Sequence, residues 1–410
     1  MFGWKTVAVS VLPVLFALYL MFGARTVADF NQRPDNMDLK TRSGRFNAWF
    51  WAHGGRAPQV DVRESPGGQG YGLFAKSTIK AGATWLYVPP KIFLSKRTIA
   101  EQPCGKVILK ALAAAGQQVE DKELMALYLL ADMRNRKSFF EPWLSLMPRP
   151  STFESIHLNY TTAERELMSG ALGRTVNYFD DKNRAFHRDV IMAKLVPLDS
   201  VCFTRESSRL ELWQWTKALV DSRAFDEMHD GKAMIPMLDM VNYDPEGPPF
   251  HSYQRAANVT FREISNVEVP AGTEMLKRYS SMGGIELMVE YGFLPESDSW
   301  MEQDTVVMSL LRGDDDAAEK RRFVLLPHGV LPDGIVDFFG SGAAAADAIE
   351  ARMALDFPSG SLEEDVARLA LGADEPLPAN VSWPHLRSIL RVHISQRQIV
   401  ADTLAALRAL

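Results

Sequence analysis

The chain has 410 residues, of which 47% are hydrophobic and 23% are charged, as in an ordinary globular protein long enough for two domains. Its formal net charge of −6 gives no general attraction to nucleic acid, so a nucleic-acid partner is not expected. Cys104 and Cys202 are the only cysteines. Two cysteines cannot build a cysteine-rich zinc cluster, so we expect no metal site of this kind. We also expect no disulfide framework.

The first 28 residues differ from the rest of the chain. Residues 6–24 are almost entirely apolar, and about 20 apolar residues can span a bilayer. More Lys and Arg residues follow this run than precede it, so the positive-inside rule predicts an amino-terminal anchor with the body of the protein in the cytosol. The alternative is a cleaved signal peptide or organelle presequence, which would send the chain to an organelle or the secretory pathway. Residues 29–57 are polar and basic, and we interpret them as a linker.

Strands are predicted at residues 71–75 and 84–88, because each is an apolar run bounded by Gly- or Pro-rich turns. Apolar residues three and four positions apart then indicate helices. Thr161 with Glu164 three residues later is typical of a capped helix start. A helical insert over about residues 104–225 therefore separates an early β segment from a later one.

Strand patterns return at residues 258–261 and 273–276. Past about residue 305 the pattern predicts helices only. The last of them carries an apolar stripe from Leu386 to Leu407, which Arg397 interrupts. The whole chain is thus predicted to be α+β.

A polar pair, Asp239 and Asn242, lies inside the otherwise apolar residues 235–243. Buried polar side chains must find partners, so this run is not simple core. One interpretation is a helix or turn cap, a place that Asp and Asn favour. The other is a ligand site, since the amide of Asn242 can both donate to and accept from the groups of a bound amino acid.

Residues 69–75 begin with Gln69, Gly70 and Tyr71 and continue with Gly72. The spacing of the glycines resembles a dinucleotide fingerprint, but that motif needs a strand before it and a helix after it. Here a turn comes first and a strand follows. A plain turn into a hairpin is one interpretation, and a bare backbone that a cofactor can approach closely is the other.

Three more residues could carry chemistry. Arg223, at the end of a helical stretch, is either a solvated surface residue or a bidentate partner for a carboxylate. Tyr279, after the late strand, is by itself typical of a tyrosine at the edge of the core with its hydroxyl in contact with water. Tyr291 precedes Gly292, which predicts a helix end capped by glycine.

These motifs together resemble the SET-domain protein methyltransferases, in the branch that acts on the Rubisco large subunit and on actin histidine. Typical members read Asp-x-x-Asn-His, then Tyr-Gly, then Tyr-Gly-Phe, and this chain has Asp239 to Tyr243, then Tyr279-Ser280, then residues 291–293. The resemblance runs from about residue 58 to 300. It implies a SET-domain β fold split by the helical insert and followed by a helical carboxy-terminal substrate-binding domain over residues 301–410.

The resemblance also implies a function. The protein would transfer a methyl group from S-adenosylmethionine to a lysine or histidine side-chain nitrogen of a protein substrate, as a monomer. It assigns residues to roles on matching positions: catalytic, Tyr279; substrate-binding, Asp239 and Tyr291; cofactor-binding, Gln69, Gly70, Tyr71, Arg223, Asn242 and Tyr243.

This chain departs from the family pattern at two positions. Tyr243 stands where the family has histidine, and Ser280 stands where it has glycine. These departures motivate the alternative function, a catalytically weak SET-like protein-binding module tethered to a membrane.

Overall fold

The computed structural model describes residues 37–66, 70–133, 135–153, 155–198, 201–227, 231–247, 261–265, 267–279, 282–312, 319–358, 360–372 and 376–410. The membrane-anchor prediction for residues 6–24, the Gln69 assignment and the Ser280 departure fall outside these ranges. Among the described residues, none forms a helix long and apolar enough to cross a membrane.

The strands belong to small sheets, and the predicted strands at residues 71–75 and 84–88 are both present. In chain order the strands are β1 (Val60–Glu64), β2 (Tyr71–Ala75), β3 (Thr84–Val88), β4 (Leu94–Ser95), β5 (Ala224–Glu227), β6 (Gly231–Met234), β7 (Asn242–Tyr243), β8 (Phe261–Ile264), β9 (Leu276–Lys277), β10 (Val306–Arg312) and β11 (Glu319–Leu325).

Among the described residues, the helices are concentrated in the middle and at the end of the chain. In chain order they are α1 (Arg42–Ala52), α2 (Lys96–Glu101), α3 (Pro103–Ala114), α4 (Asp121–Asp132), α5 (Glu141–Leu144), α6 (Ile156–Asn159), α7 (Thr162–Glu166), α8 (Gly170–Phe186), α9 (Leu210–Asp221), α10 (Gly284–Glu286), α11 (Ile335–Phe339), α12 (Gly342–Asp356), α13 (Leu362–Leu371) and α14 (Trp383–Arg408). Helices α8 and α10 continue directly into the π-helices His187–Leu195 and Leu287–Tyr291.

The strand pairing shows that one β domain is split by the insert. Strand β3 pairs antiparallel with β8, and β4 pairs with β6, so early and late strands meet across the insert. Strand β7 runs parallel to β9. The predicted α+β architecture with a helical insert is confirmed.

The insert and the strands share one hydrophobic core, which explains why the insert does not form a separate unit. Trp85 of β3, Leu127 of α4 and Trp213 of α9 are fully buried in the same cluster. Within the insert, Thr161 accepts a hydrogen bond from the backbone N–H of Glu164, and the Glu164 carboxylate accepts one from the N–H of Thr161. The predicted capped start of α7 is therefore confirmed.

The two cysteines form a disulfide, so the prediction that the chain has no disulfide framework was wrong. Cys104 lies at the start of α3, Cys202 lies in the loop before α9, and the two sulfur atoms form a disulfide across 98 positions of sequence. The insert folds back on itself and brings these ends together, which no local pattern in the sequence indicates.

The carboxy-terminal region is largely helical, as predicted, but it begins with a β-hairpin in place of the expected helix. Strands β10 and β11 pair antiparallel from Val306 opposite Leu325 to Arg312 opposite Glu319. The long helix α14 buries Leu386 and Leu407 of the predicted stripe. Its basic interruption, Arg397, is also buried and forms an ion pair with Asp365 of α13 at 3.0 Å.

Candidate active site

Residues 235–243 form a tight turn that ends in strand β7. Asp239 lies in a short 3-10 helix, Leu238–Met240, and its side chain is fully buried. The indole Nε1–H of Trp143, on α5 in the insert, faces both carboxylate oxygens at 3.3 and 3.2 Å. Burial raises the pKa of Asp239 to about 7, against the opposing effects of Arg223 and Trp143.

Arg223 follows the end of α9, as predicted, and points into the same turn. Its Nη1 donates to the backbone carbonyl of Asp239 and lies 3.9 Å from the carboxylate. Its Nε is buried and donates to no atom within the described part of the chain. A buried guanidinium with an unused donor is the kind of group that binds a carboxylate.

Asn242 is fixed by a polar trio at the start of β7. Its Nδ2 donates to Ser65 Oγ at 2.8 Å and to Glu274 Oε1 at 2.7 Å, and Ser65 donates to the same oxygen of Glu274 at 2.5 Å. Because both strong acceptors engage the amide nitrogen, the amide oxygen is the atom left to face a ligand.

The glycine turn lies against this trio. Gly70 has φ of +84°, a left-handed conformation that glycine adopts without strain, and a Cβ there would meet no described atom within 4 Å. A Cβ at Gly72 would instead collide with Glu274, Ser65 and Asn242. The backbone is therefore accessible at Gly70 and tightly packed at Gly72.

The side chain and the backbone of Tyr71 have different surroundings, and the predicted cofactor contact of this residue uses the backbone. Its side chain lines a hollow of about 440 Å³ beside α1, together with Thr41, Arg42 and Arg63. The backbone at residues 70–72, and not the Tyr71 ring, is what lies beside Asn242.

Tyr279 points back to the turn from the other side. Its hydroxyl donates to the carbonyl of Val241 at 2.6 Å. Burial raises its pKa above the usual range, so the phenol stays protonated near neutral pH. A phenol in this state can orient a neighbouring group but cannot act as a base.

The Tyr279 ring belongs to a cluster of four aromatic rings. The Tyr279 ring lies 5.3 Å from the Tyr243 ring and 5.1 Å from the Tyr291 ring. Phe293 closes the group at 5.7 Å from Tyr243. Tyr291 ends a π-helix that Gly292 caps with φ of +82°, so the predicted glycine cap is confirmed and the ring is also held at the site.

Most of the predicted site residues thus come together, while three groups that touch them were missed. These are Trp143, Ser65 and Glu274, which contact Asp239 or Asn242. The sequence contains two signals, a tryptophan directly after Pro142 and a carboxylate within the predicted late strand, but neither identifies its partner.

Comparison with known proteins supports the resemblance. No protein-family model matches the chain. It is 25% identical over 285 residues to N-lysine methyltransferase SETD6 of Homo sapiens and 24% identical over 287 residues to that of Mus musculus. Each match covers 64% of this chain but only 57% and 58% of the relatives' lengths.

Solved structures match over a larger share of the chain. The SET domain of LSMT bound to lysine and AdoHcy has a TM-score of 0.70 and 14% identity, covering 91% of this chain and 92% of that chain. Rubisco LSMT bound to AdoMet has a TM-score of 0.68 and 15% identity, covering 90% and 92%. The fold is therefore that of a split SET domain. Within that class, the resemblance to the Rubisco large-subunit methyltransferase branch is confirmed.

Proposed function

We propose that this protein transfers a methyl group from S-adenosylmethionine to the side-chain nitrogen of a lysine in a protein substrate. The observation that carries the proposal is the Tyr279 hydroxyl on the Val241 carbonyl, directly beside Arg223, Asp239 and Asn242. The relatives named N-lysine methyltransferases, and the LSMT structure bound to lysine, favour lysine over histidine as the target.

The residues present suit the cofactor. The open backbone at Gly70, the unused donor of Arg223 and the amide oxygen of Asn242 would hold its amino-acid part. When bound, the cofactor supplies a methyl group on a sulfonium sulfur. The backbone at Tyr71 and Tyr243 would complete this wall.

The aromatic group would prepare the target nitrogen. A lysine amine must be neutral to attack a methyl carbon, and the rings of Tyr243, Tyr279 and Tyr291 replace water around it. Removal from water disfavours the charged amine and lowers its pKa. Tyr279 stays protonated and orients the amine, so the rate comes from proximity and alignment and not from a strong side-chain base.

The proposal also covers substrate binding by the carboxy-terminal region, the oligomeric state and attachment to a membrane. Residues 301–410 would bind the protein substrate, with Asp239 and Tyr291 facing the target side chain, and the chain would act as a monomer. Residues 6–24 would tether it to a membrane, because they are long and apolar enough to span one. The charge count favours a cytosolic body, and the opposite side is the alternative.

One feature favours the weaker function as a second candidate. The Tyr243 ring packs against the Tyr279 ring where the family pattern has histidine, and this changes the size and protonation of the site wall. A protein that binds S-adenosylmethionine without transferring its methyl group would be a membrane-tethered SET-like binding module.

The test is transfer of a labelled methyl group from S-adenosylmethionine to proteins of a cell lysate by the full chain. We expect label on lysine, lost in Tyr279→Phe and kept in Tyr178→Phe, which alters an exposed tyrosine of α8. Cofactor binding with no transfer by the folded wild type would contradict the enzyme and leave the binding module.

A further inference from the structure

The turn that carries the site residues contains a strained backbone. Met237 is buried and has φ of +76° and ψ of −50°, close to the rare γ-turn conformation of positive φ. A residue other than glycine keeps such a conformation only where its surroundings fix it from several sides. The contacts that fix this turn therefore bear on the site.

Three contacts fix the turn at Asp239. The backbone N–H of Asp239 donates to the carbonyl of Ile235 at 3.1 Å, and Arg223 donates to its carbonyl. Trp143 is the side chain that donates to its carboxylate from the insert, 96 positions away in the sequence. The first two contacts hold the backbone. The carboxylate also accepts from the backbone N–H groups of Met237 and Asp239, and Trp143 is its neutral side-chain donor.

The far end of the same turn holds the atoms proposed to act in methyl transfer. Two residues after Asp239, the Val241 carbonyl accepts from Tyr279, and Asn242 follows. A change at the Asp239 side chain can therefore move the acceptor that aligns Tyr279. Misplacement by about 1 Å is enough to slow a reaction on the order of 100-fold.

We propose that Trp143 is a positioning residue for methyl transfer, which holds the Asp239 carboxylate so that the Val241 carbonyl and Tyr279 stay aligned. The proposal rests on the proposed function, and it adds that the helical insert supplies a working part of the site. Trp143 touches neither the reacting nitrogen nor the methyl group in this role.

The charges around Asp239 make the role visible in a pH profile. The groups that face its carboxylate are Arg223, the indole of Trp143, the backbone N–H groups of Met237 and Asp239, and the Tyr279 phenol. The hydrogen bond from Trp143 favours the charged carboxylate against its burial. Removing that donor raises the pKa of Asp239, so the acidic limb of the activity profile moves to higher pH.

The experiment compares Trp143→Phe with Trp215→Phe in the full chain. Trp215 is a buried tryptophan of the same insert, and its indole donates to the Pro148 carbonyl at 3.2 Å, away from Asp239. We expect Trp143→Phe to lower kcat at least 10-fold and to shift the acidic limb upward. Trp215→Phe would change thermal stability only, and Trp143→His, which retains a ring N–H, would recover part of kcat.

An infrared readout separates this proposal from the proposed function. The carboxyl band of Asp239, assigned with Asp239→Asn, would titrate at higher pH in Trp143→Phe than in the wild type, whether or not methyl transfer occurs. A folded Trp143→Phe with unchanged kcat, acidic limb and carboxyl titration would overturn the proposal. Absence of transfer by the wild type would instead count against the proposed function.

A second inference follows from the disulfide, which is independent of the catalytic turn. The bond joins Cys104 to Cys202, so it closes most of the helical insert into one covalent loop. Disulfides persist in oxidising compartments and are rare in the cytosol. The same two cysteines are the whole cysteine content of the chain.

The charges that favoured a cytosolic body carry less weight once the fold is considered. Arg42 belongs to α1 and donates to the Ser145 carbonyl of the insert, and Arg45 lies in the same helix. These two charges are part of the folded domain, whereas the positive-inside rule concerns the segments that flank a membrane span. Arg25, Arg33 and Lys40 still follow the apolar run, so the disulfide, and not the charge count, carries the inference.

We infer that the folded domain lies on the oxidising side of its membrane, and that its protein substrate is an exported or lumenal protein. This inference uses the proposed function only for the substrate. It replaces the cytosolic orientation with the alternative that the amino-terminal segment also permits.

The test traps thiols in intact cells that express the full chain. Free thiols are blocked at lysis, the protein is then reduced, and newly freed thiols are tagged with a maleimide polymer. We expect a shift of two tags, absent in the Cys104→Ser, Cys202→Ser double variant, and protection of the domain from protease in sealed membranes. Thiols that are already free at lysis, or a domain that the protease digests, would overturn the inference.

Discussion

Two buried carboxylates, one in the helical insert and one at the site, are held in opposite ways. Asp180 of α8 accepts from His157 Nδ1 at 2.7 Å and forms an ion pair with Arg165. Burial alone would raise its pKa, but these partners lower it below its usual range. Burial raises the pKa of Asp239 to about 7 and outweighs the opposing effect of Arg223, the nearest cation, which directs its Nη1 to the backbone.

We call the Asp180 arrangement a closed pair, because protein partners bind its carboxylate, and the Asp239–Arg223 arrangement an open pair, because the cation keeps an unused donor. At Asp180 the Arg165 guanidinium and the His157 ring contact the carboxylate directly, and the arrangement stabilises the fold without a ligand. At Asp239 the cation stands 3.9 Å away and keeps a buried Nε with no partner among the described residues. We interpret the first as structural and the second as a site that a ligand completes.

The largest effect is expected from breaking the closed pair. Arg165→Met leaves Asp180 without its guanidinium, and loss of one partner of a buried pair costs roughly 3–5 kcal/mol. Urea unfolding should report this loss, while methyl transfer per folded molecule stays at the wild-type rate. If Arg165→Met were as stable as the wild type but transferred methyl groups more slowly, the structural interpretation of Asp180 would be wrong.

Stability against pH should separate the two carboxylates by sign. The pKa of Asp239 is raised, so its contribution is present below pH about 4 and is lost as pH rises to about 7, by at most about 4 kcal/mol. Asp239→Asn should remove this decline from urea unfolding curves measured across that range. The pKa of Asp180 is lowered, so Asp180→Asn should remove a gain in stability with rising pH. Equal slopes in both variants would contradict the assignment.

The open pair should affect the ligand more than the fold. Arg223→Met removes the donor proposed for the cofactor carboxylate, and a hydrogen bond between charged groups contributes about 1.5–3 kcal/mol. Equilibrium dialysis with labelled S-adenosylmethionine should show affinity reduced by roughly 10- to 100-fold. Arg165→Met, assayed while folded, is the control and should bind normally.

The smallest effect is expected at an exposed pair. Arg387 of α14 contacts Glu296 at 2.8 Å, but both side chains are well exposed to solvent. Arg387→Ala should change the free energy of unfolding by less than about 1 kcal/mol. A larger decrease in the free energy of unfolding, measured by thermal unfolding, would show that exposed ion pairs in this chain contribute more to stability than their solvent exposure indicates.

The sequence could predict features that depend on neighbouring residues. The capped start of α7, the strands β2 and β3 and the glycine cap after Tyr291 follow from local spacing. The motif resemblance extended this to the positions of Asp239 and Tyr279. Their partners could not be predicted, because Trp143 lies 96 positions from Asp239 and Ser65 lies 209 from Glu274.

The missed hairpin has a different cause. Val306, Met308 and Leu310 are buried at every second position of β10, a period-two pattern that the sequence does contain. The run is short, and the long helical pattern of α14 dominates the same region of the sequence, so the region was predicted to be helical throughout.

Calorimetric titration of S-adenosylmethionine into the full chain distinguishes an open pair from a closed one, because an open pair is defined by the ligand that completes it. We expect one saturable site per chain, together with an increase in thermal stability of the bound protein. A folded chain that shows neither binding heat nor thermal stabilisation would contradict this expectation.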